Sequence, residues 1–374
     1  MRKILHIADL HLGFEHRYLG DRAGQRAEEA LQTLERLVEW ALDDANEVAA
    51  VLIAGDLFET HEDPDPRMTG RVISTLKRLT SGGRTLVTVP GNHDEYSYPR
   101  SIYREHAGIW PGVLVTNPQL ERVATLDLDD ARCAIYSMAY TAGLSPRVLP
   151  ALSPSELSPG EIRLALLHGT LDADPNDRSY RIDSQTLIDS GFAYAALGHI
   201  HKPGQSRLGD GLAVYPGTLN GKGFDDPGVG ELVLVSFPGG AAVVEEIPFP
   251  VRPIRTLAVD LSRFDTQEDL IRELERELPE GLILRLEPFG SRPEGFDPDH
   301  LIGRLRGRFF HVEVNDQSLG LSDGEIERLA EQPTIRGMFT RLLRERMQDE
   351  AQAEPARLAL MKGLAAFDSV DRRR

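Results

Sequence analysis

Two histidines two positions apart, His199 and His201, follow the apolar run AYAAL (193–197) in the segment GHIH. If that run is a β-strand, both rings lie on the same side at its carboxyl end, with Cα atoms about 6.6 Å apart. Imidazole binds metals and carries protons near neutral pH, so the pair could serve either chemistry. Alone, such a pair is more typical of packed core histidines, and its meaning depends on what neighbouring strands bring to the same place.

Four other short apolar runs also end in residues that bind metals or move protons. They are Ile4–Ile7 before Asp9 and His11, Val51–Ala54 before Asp56, Thr85–Val89 before Asn92 and His93, and Leu164–Leu167 before His168. Most of these strand ends also carry a glycine, which lets the backbone approach closely. Because ligands bind beyond the carboxyl ends of parallel strands, we expect all five strand ends to form one site.

The residue types at these strand ends predict a site for two divalent ions. Imidazole, carboxylate and amide ligands without thiolate suit manganese, iron or zinc and disfavour an all-oxygen calcium site. Seven ligands are too many for one ion, whereas two ions about 3.5–4 Å apart and bridged by a carboxylate would use them all. The candidate ligands are Asp9, His11, Asp56, Asn92, His168, His199 and His201. Asp56 is the expected bridge, since it lies in a glycine-flanked turn in the middle of the series.

The elements that must position these residues follow the pattern of a layered α/β protein. Through residue 248, short apolar runs alternate with amphipathic segments, and further buried strands are predicted at Arg132–Ser137 and Ala193–Leu197. Apolar residues recur at helical spacing over Glu28–Leu42. Three β-rich runs between residues 212 and 248 predict locally paired strands, and the proline-rich segment PFPVRPIRT (248–256) predicts a linker.

Beyond the linker, the pattern predicts a small α/β domain followed by helices. Its strands are predicted at Leu257–Leu261, Leu282–Leu286 and Phe309–Val314, with helices near 266–277 and 298–306. In the terminal part, Ser322 and Glu325 fit a capping box and Pro355 could begin the last helix. An apolar stripe there comprises Ile335, Met338, Phe339, Leu342, Leu343 and Met347. The predicted domains are residues 1–250, 251–316 and 317–374.

Composition narrows the class of protein and its surroundings. The chain has 374 residues, 41% hydrophobic and 27% charged, as expected of a globular protein with two or three units. The single cysteine, Cys133, excludes an internal disulfide framework and favours a reducing cytoplasm. Asp9 breaks the first apolar run, so neither a signal peptide nor a membrane span is expected. The net charge of −17 argues against general electrostatic affinity for nucleic acid.

The motifs DLH, GDLFE, GNHD, HG and GHIH, in this order, resemble those of the calcineurin-like metallophosphoesterases over about the first 235 residues. The resemblance implies a four-layered αββα fold. It also implies how the ligands divide: one ion bound by Asp9, His11, Asp56 and His201, and the other by Asp56, Asn92, His168 and His199.

The resemblance also suggests a role for His93, which is left without an ion. In the family, the histidine of GNH contacts the scissile phosphate and helps the leaving oxygen depart. A positioned general acid typically contributes about 10²–10⁴-fold to the rate. Glu59 stands where relatives carry Asp or, among nucleases, often His. It is expected either to orient His93 or to be a solvated surface acid.

The wider segments HIADLHLG, AGDLFE and YPGTLNGKGF (215–224), followed by a small α/β domain and helices, are similar to the SbcD-type DNA repair exonucleases. That similarity implies a DNA nuclease whose small domain caps the active site and whose terminal helices bind an SbcC-like ATPase. The mixed ligand set favours manganese, with iron or zinc as alternatives. A small-molecule phosphodiesterase or nucleotidase is the alternative activity, and a non-catalytic scaffold is a third reading. Exonuclease or endonuclease preference and a homodimer are left open.

Overall fold

The computed structural model describes residues 1–63, 65–129, 131–141, 149–150, 152, 160–174, 179–293, 295–318 and 323–371. The chain divides into two compact units, Met1–Val251 and Arg252–Arg374. Ser322 of the predicted capping box lies outside the described residues. Among the helices of the described part, none has the length and apolar character needed to cross a membrane.

The first unit contains two six-stranded sheets. Its strands are β1 (Lys3–Ile7), β2 (Val48–Ala54), β3 (Thr85–Val89), β4 (Val113–Leu114), β5 (Glu121–Leu128), β6 (Ala131–Ser137), β7 (Ile162–His168), β8 (Thr170–Leu171), β9 (Arg181–Ile182), β10 (Phe192–Gly198), β11 (Gly204–Leu208), β12 (Gly211–Tyr215), β13 (Glu231–Ser236) and β14 (Val243–Pro248). Its helices are α1 (Ala23–Leu42), α2 (Pro66–Ser81), α3 (Ile102–His106) and α4 (Ser184–Asp189). The strand orders are β14-β13-β1-β2-β3-β4 and β11-β12-β10-β7-β6-β5, and β8 pairs with β9.

The two sheets stack face to face between layers of helix. Along β1, Leu5 and Ile7 lie in a core formed with α1 and α2, whereas Ile4 lies in a second core shared with residues of the other sheet. This follows from the alternation of side chains along a strand. A third core covers the far face of the second sheet and includes Leu187 of α4. The layers are helix, sheet, sheet and helix, which confirms the predicted αββα sandwich.

Parallel strands in both sheets place the predicted ligands at one edge. Strands β1, β2 and β3 run parallel in the first sheet, and β6, β7 and β10 run parallel in the second. The predicted strands Ile4–Ile7, Thr85–Val89, Arg132–Ser137 and Ala193–Leu197 agree with the observed ones to within one residue at each end, whereas the runs Val51–Ala54 and Leu164–Leu167 lie inside longer strands. Helix α1 begins five residues before its predicted start, because its first residues carry no apolar periodicity.

The second unit begins with a three-stranded parallel sheet. Its elements are β15 (Ile254–Asp260), α5 (Gln267–Glu277), β16 (Ile283–Phe289), α6 (Pro298–Leu305), β17 (His311–Val314), α7 (Asp323–Glu331), α8 (Ile335–Met347) and α9 (Glu350–Asp371), with sheet order β15-β16-β17. A capping box of Thr266 and Asp269 starts α5. The expectation that Pro355 begins the last helix is wrong, since α9 begins at Glu350 and Pro355 lies inside it. Gln352 donates to the Asp349 carboxylate at 2.8 Å, which supports the turn before the proline.

The predicted apolar stripe on α8 divides into an inward and an outward part. Leu343 is only 6% exposed and packs with residues of α7 and α9. In contrast, Ile335, Met338 and Leu342 are 76%, 65% and 50% exposed. One part of the stripe therefore belongs to the core of the helices, and the other part is exposed. We call the exposed part the outer row of α8 (Ile335, Met338 and Leu342).

Candidate metal centre

The structure brings all seven candidate ligands together at the carboxyl ends of strands from both sheets. Their ligand atoms form two groups, within each of which the atoms lie within 4.8 Å of one another. The first group is Asp9, His11 and His201, and the second is Asp56, His168 and His199. The groups touch, since the backbone N–H of His199 donates to both carboxylate oxygens of Asp9, at 3.0 and 3.1 Å.

The first group has the donor set of a cation site. The Nε2 atoms of His11 and His201 lie 3.0 Å apart. On the other side of each ring, Nδ1 of His11 lies 2.9 Å from Glu59 Oε2 and Nδ1 of His201 lies 2.6 Å from Asp226 Oδ2. A carboxylate only accepts, so these contacts favour the proton on Nδ1 of each neutral ring and leave lone pairs on both Nε2 atoms. Two lone pairs at this distance repel unless a cation binds them, so these residues fit a divalent ion.

In the second group, a main-chain carbonyl determines which nitrogen of His168 is free to bind an ion. Nδ1 of His168 donates to the carbonyl oxygen of Ala54 at 2.8 Å, so Nε2 of the neutral ring presents a lone pair. That Nε2 lies 2.9 Å from Asn92 Oδ1 and 3.4 Å from Asp56 Oδ2, two oxygens that cannot donate to it. Asn92 Oδ1 also lies 2.9 Å from Nδ1 of His199, so Asn92 joins this group.

Asp56 contacts both groups, as a bridging carboxylate must. Its Oδ2 lies 3.8 Å from His11 Nε2 and 3.4 Å from His168 Nε2. Burial opposes ionisation of Asp56, but when no ion is bound the protonated forms of His168 and His11 outweigh burial and hold the pKa of its carboxyl well below the usual range. At Asp9 the effect of burial is the larger one, and it raises the pKa of the carboxyl to about 7 although the charge of His168 lowers it. A bound cation would favour the ionised form of both.

The backbone is strained at four of the seven candidate ligands. Their φ angles are 54° at Asp9, 47° at His11, 49° at Asp56 and 100° at His199. Positive φ is rare for residues other than glycine, and each instance costs about 1–3 kcal/mol. Such strain is concentrated where it aims side chains at a common point, which is typical of functional sites.

Glycines permit the close approach of the strand ends, as the sequence predicted. Gly55 has a φ of 88°, and a Cβ added there would lie 2.2 Å from Nδ1 of His168. A Cβ added at Gly91 would lie 2.2 Å from Oδ1 of Asp56. Any side chain at these two positions would displace a candidate ligand.

His93 lies beside the first group but is held differently from the ligands. Its backbone N–H donates to Asp56 Oδ1 at 2.9 Å, and its Nδ1 donates to the carbonyl oxygen of Glu59 at 3.0 Å. Its ring stands edge-on to that of His11, with centroids 4.7 Å apart. The side chain is 37% exposed, whereas that of His11 is 1% exposed. His93 is thus accessible to a substrate bound at this edge.

Glu59 is a partner of His11 rather than a solvated acid. Its carboxylate lies 2.9 Å from His11 Nδ1 and 2.8 Å from Lys222 Nζ, but 3.8 Å from His93 Nδ1. Burial raises the pKa of Glu59, yet the close contact with His11 and the hydrogen bond from Lys222 outweigh burial and lower it to about 2. The reading of Glu59 as a surface acid is wrong, because the residue is half-buried in this network.

Sequence reasoning missed the residues that support the ligands from behind. Asp226 contacts His201, and the hydroxyl of Thr218 donates to the Asp9 carbonyl oxygen at 2.6 Å. Both lie in a segment rich in glycine and proline that has no periodic pattern. Thr218 belongs to the motif YPGTLNGKGF (215–224), but the sequence did not indicate that either residue contacts a ligand. Asp94 did lie within a motif. It is fully buried and accepts hydrogen bonds from Gly91 N, Phe58 N and Tyr103 Oη. These bonds hold the segment after β3 against the segment after β2.

The fold and the two ligand groups define the class of protein. A helix–sheet–sheet–helix sandwich with carboxylate, imidazole and amide ligands for two divalent ions at one sheet edge is suited to metal-assisted phosphoester hydrolysis. The calcineurin-like phosphoesterase family matches residues 2–203, and the chain belongs to this family. Its members depend on divalent metal ions, in agreement with the ligand groups found here.

Curated relatives described as DNA double-strand break repair protein Mre11 are similar to this chain. The protein from Aeropyrum pernix is 27% identical over 278 residues, which cover 70% of this chain and 64% of the relative. The protein from Saccharolobus solfataricus is 26% identical over 278 residues, covering 70% and 67%. The protein from Archaeoglobus fulgidus is 29% identical over 231 residues, covering 58% and 50%. The matched region thus spans between half and about two thirds of the relatives' length.

Proposed function

We propose that this chain is a metal-dependent nuclease that hydrolyses phosphodiester bonds of DNA, acting as an exonuclease in double-strand break repair. One observation carries the proposal: two groups of metal-ligating atoms meet at Asp56, beside the accessible ring of His93. Similarity to the Mre11 relatives supports DNA as the substrate.

The proposed ligand sets follow the observed groups. Asp9, His11, Asp56 and His201 would hold one ion, and Asp56, Asn92, His168 and His199 would hold the other. When bound, the two ions supply positive charge to the phosphodiester and activate a water for attack. We propose manganese, because mixed nitrogen and oxygen ligands suit it better than magnesium, which demands near-octahedral oxygen coordination; iron and zinc are the alternatives.

The residues of the chain have two tasks in this proposal, holding charge and moving a proton. Two dications and the carboxylates of Asp9 and Asp56 leave a local charge of about +2, which attracts the phosphodiester. Glu59 does not reduce that charge by much, because Lys222 pairs with it. The Nδ1–H of His93 is engaged by the Glu59 carbonyl, so the ring, when it carries a second proton on Nε2, can donate that proton to the leaving oxygen and become neutral.

We also propose that the outer row of α8 binds the coiled-coil base of an SbcC-like ATPase. Its three residues follow the i, i+3, i+7 spacing of a helix that lies in an apolar groove. All three are at least half exposed, and large apolar groups exposed together are typical of a binding surface. With DNA as substrate and a single cysteine in the chain, the proposed location is the cytoplasm.

The deciding experiment is a digestion time course on end-labelled single- and double-stranded DNA. EDTA-treated protein would be compared with protein reloaded with manganese or magnesium, and a mononucleotide would be assayed in parallel. We expect DNA cleavage with manganese, poor activity with magnesium and none after EDTA treatment. DNA cleavage that is equally fast after EDTA treatment would overturn the metal mechanism. Cleavage of the mononucleotide alone would favour the nucleotidase alternative.

A further inference from the structure

The loop of residues 216–230, which we call the crossing loop, passes from one sheet to the other directly behind the first ligand group. It connects β12 of the second sheet to β13 of the first. The Thr218 hydroxyl donates to the Asp9 carbonyl oxygen at 2.6 Å, and the Thr218 backbone N–H donates to the His201 carbonyl oxygen at 3.0 Å. The loop therefore contacts the main chain of two ligands in that group.

The crossing loop also contacts the ligand rings through charged side chains. Asp226 Oδ2 lies 2.6 Å from Nδ1 of His201. Lys222 Nζ lies 2.8 Å from Glu59 Oε2, and the same oxygen lies 2.9 Å from Nδ1 of His11. Each histidine of the first group thus has a carboxylate behind it. For His201 this is Asp226 of the loop, and for His11 it is Glu59, which pairs with Lys222 of the loop.

The loop is itself held in place by buried contacts. The guanidinium of Arg26, a fully buried side chain, donates to the Gly221 carbonyl oxygen at 3.1 Å. The backbone N–H groups of Lys222 and Gly223 both donate to the Asp226 carbonyl oxygen, at 2.9 and 3.1 Å. Lys222 and Asp226 are therefore fixed relative to each other, and the loop can act as one support.

In the second group, His168 is supported in a different way. Its Nδ1 donates to the carbonyl oxygen of Ala54, a main-chain group of β2 that carries no net charge. A carboxylate behind a ligating histidine orients the ring and makes it a stronger donor than a neutral carbonyl does. The two ion sites therefore differ: carboxylates strengthen the histidine ligands of the first, whereas a neutral carbonyl supports His168 in the second.

We propose that the crossing loop, through Asp226 and the Lys222–Glu59 pair, sets the affinity of the first ion separately from that of the second. Asp226, Lys222 and Glu59 are positioning residues, since they act through His201 and His11. The inference rests on the proposed two-ion site. It predicts that loss of the Asp226 charge produces a protein that holds one ion rather than two.

The test is a manganese titration of the full chain after EDTA treatment, with bound metal counted after dialysis. Electron paramagnetic resonance would distinguish coupled from isolated manganese ions. We expect Asp226→Asn to weaken one ion by roughly 10–100-fold and to leave the other unchanged. Its spectrum should then gain the hyperfine pattern of an isolated ion. Lys222→Met, which leaves Glu59 without its ion pair, should change the affinity of the same ion alone.

The matched control is Asp225→Asn, which removes the same charge from an exposed neighbouring position in the same loop. It should bind two ions as the parent does, and Asp226→Glu should recover part of the lost affinity. Parental affinities for both ions in Asp226→Asn and in Lys222→Met would overturn the inference, and so would joint loss of both ions. A parent chain that binds no manganese would instead overturn the proposed function.

Discussion

His93 shows how one residue at the site can be separated from the metal ligands around it. Its main chain and ring are both anchored, to Asp56 and Glu59, while more than a third of its side chain is exposed. The candidate ligands His11 and His168 have almost no exposed side-chain surface. A residue held firmly and open to solvent is placed to act on a substrate.

We predict that His93→Ala keeps both ions and loses about two to four orders of magnitude in turnover, the usual contribution of a general acid. His199→Ala should instead weaken one ion directly. Manganese titration and rates on DNA for both variants check the assignment. His106→Ala, at a half-buried histidine paired with Asp63, serves as the control. Loss of both ions from His93→Ala would place that residue among the ligands.

His6 is a core histidine, and it confers a pH dependence on stability. It is fully buried between the sheets, with Nδ1 2.9 Å from Tyr194 Oη, and burial lowers its pKa to about 3. Below its ordinary pKa of 6.5 the unfolded chain binds a proton that the folded chain does not. Stability supplied by neutral His6 is therefore lost as the pH falls from 6.5 towards 3.

The corresponding prediction concerns His6→Asn, compared with the parent by urea unfolding in EDTA. At pH 7 the variant should be less stable, since it loses the contact with Tyr194. At pH 5 its deficit should be smaller by about 2 kcal/mol, because only the parent must keep a histidine neutral. The same deficit at both pH values would contradict the argument.

The candidate ligands could be predicted from the sequence because each directly follows an apolar run, and parallel strands bring such ends together. Their supports could not be predicted. Asp226 reaches His201 across 25 positions of sequence, through a loop whose path depends on the contacts of Arg26 with Gly221 and of Thr218 with Asp9. Glu59 was noticed, but its choice of His11 over His93 depends on Lys222, which is distant in sequence.

At the scale of elements, the buried central strands were predicted well, whereas both edge strands of the second sheet were missed. Strands β5 and β11, which were not predicted, lie at one edge each of the second sheet. Four of the five residues of β11 are exposed, so the strand has no apolar run to recognise. An edge strand is specified by its single neighbour, and that pairing is a tertiary property.

Helix α8 leads to a prediction because its two apolar surfaces should respond differently to substitution. Replacing the outer row (Ile335, Met338 and Leu342) with serine should leave the free energy of unfolding and the basal nuclease activity unchanged. It should abolish activity that depends on an SbcC-like ATPase. Leu343→Ala, on the inward side, should cost about 2–5 kcal/mol of stability. Unfolding of the outer-row variant, or its full response to the ATPase, would contradict the docking proposal.

At the scale of the whole molecule, the net charge of −17 opposes the local positive charge proposed for the metal centre. We predict that the isolated chain binds DNA weakly and that an SbcC-like partner tightens binding. Fluorescence anisotropy of labelled DNA, with and without the partner at physiological salt, checks this. Nanomolar affinity of the lone chain under those conditions would contradict this prediction, because a chain with such a negative charge is expected to repel the phosphate backbone.

The division into units depends in part on contacts that no local pattern reveals. A boundary near residue 250 was predicted from the prolines, and the first unit ends at Val251. The terminal helices, predicted as a separate segment, fall in the same unit as the small α/β domain. There the guanidinium of Arg357 in α9 lies 5.6 Å from the centre of the Phe289 ring in β16. Such a contact joins residues far apart in sequence.

Both ligand groups draw residues from both sheets: the first from β1 and β10, the second from β2, β3, β7 and β10. Each ion would therefore tie the sheets together as a cross-link that forms only in the folded chain. Folding and ion binding are then thermodynamically linked, and each tenfold rise in free ion above its dissociation constant adds about 1.4 kcal/mol per site. A melting temperature that climbs with manganese concentration would report this link without any substrate. In a cell, metal starvation would lower the amount of folded protein as well as its activity.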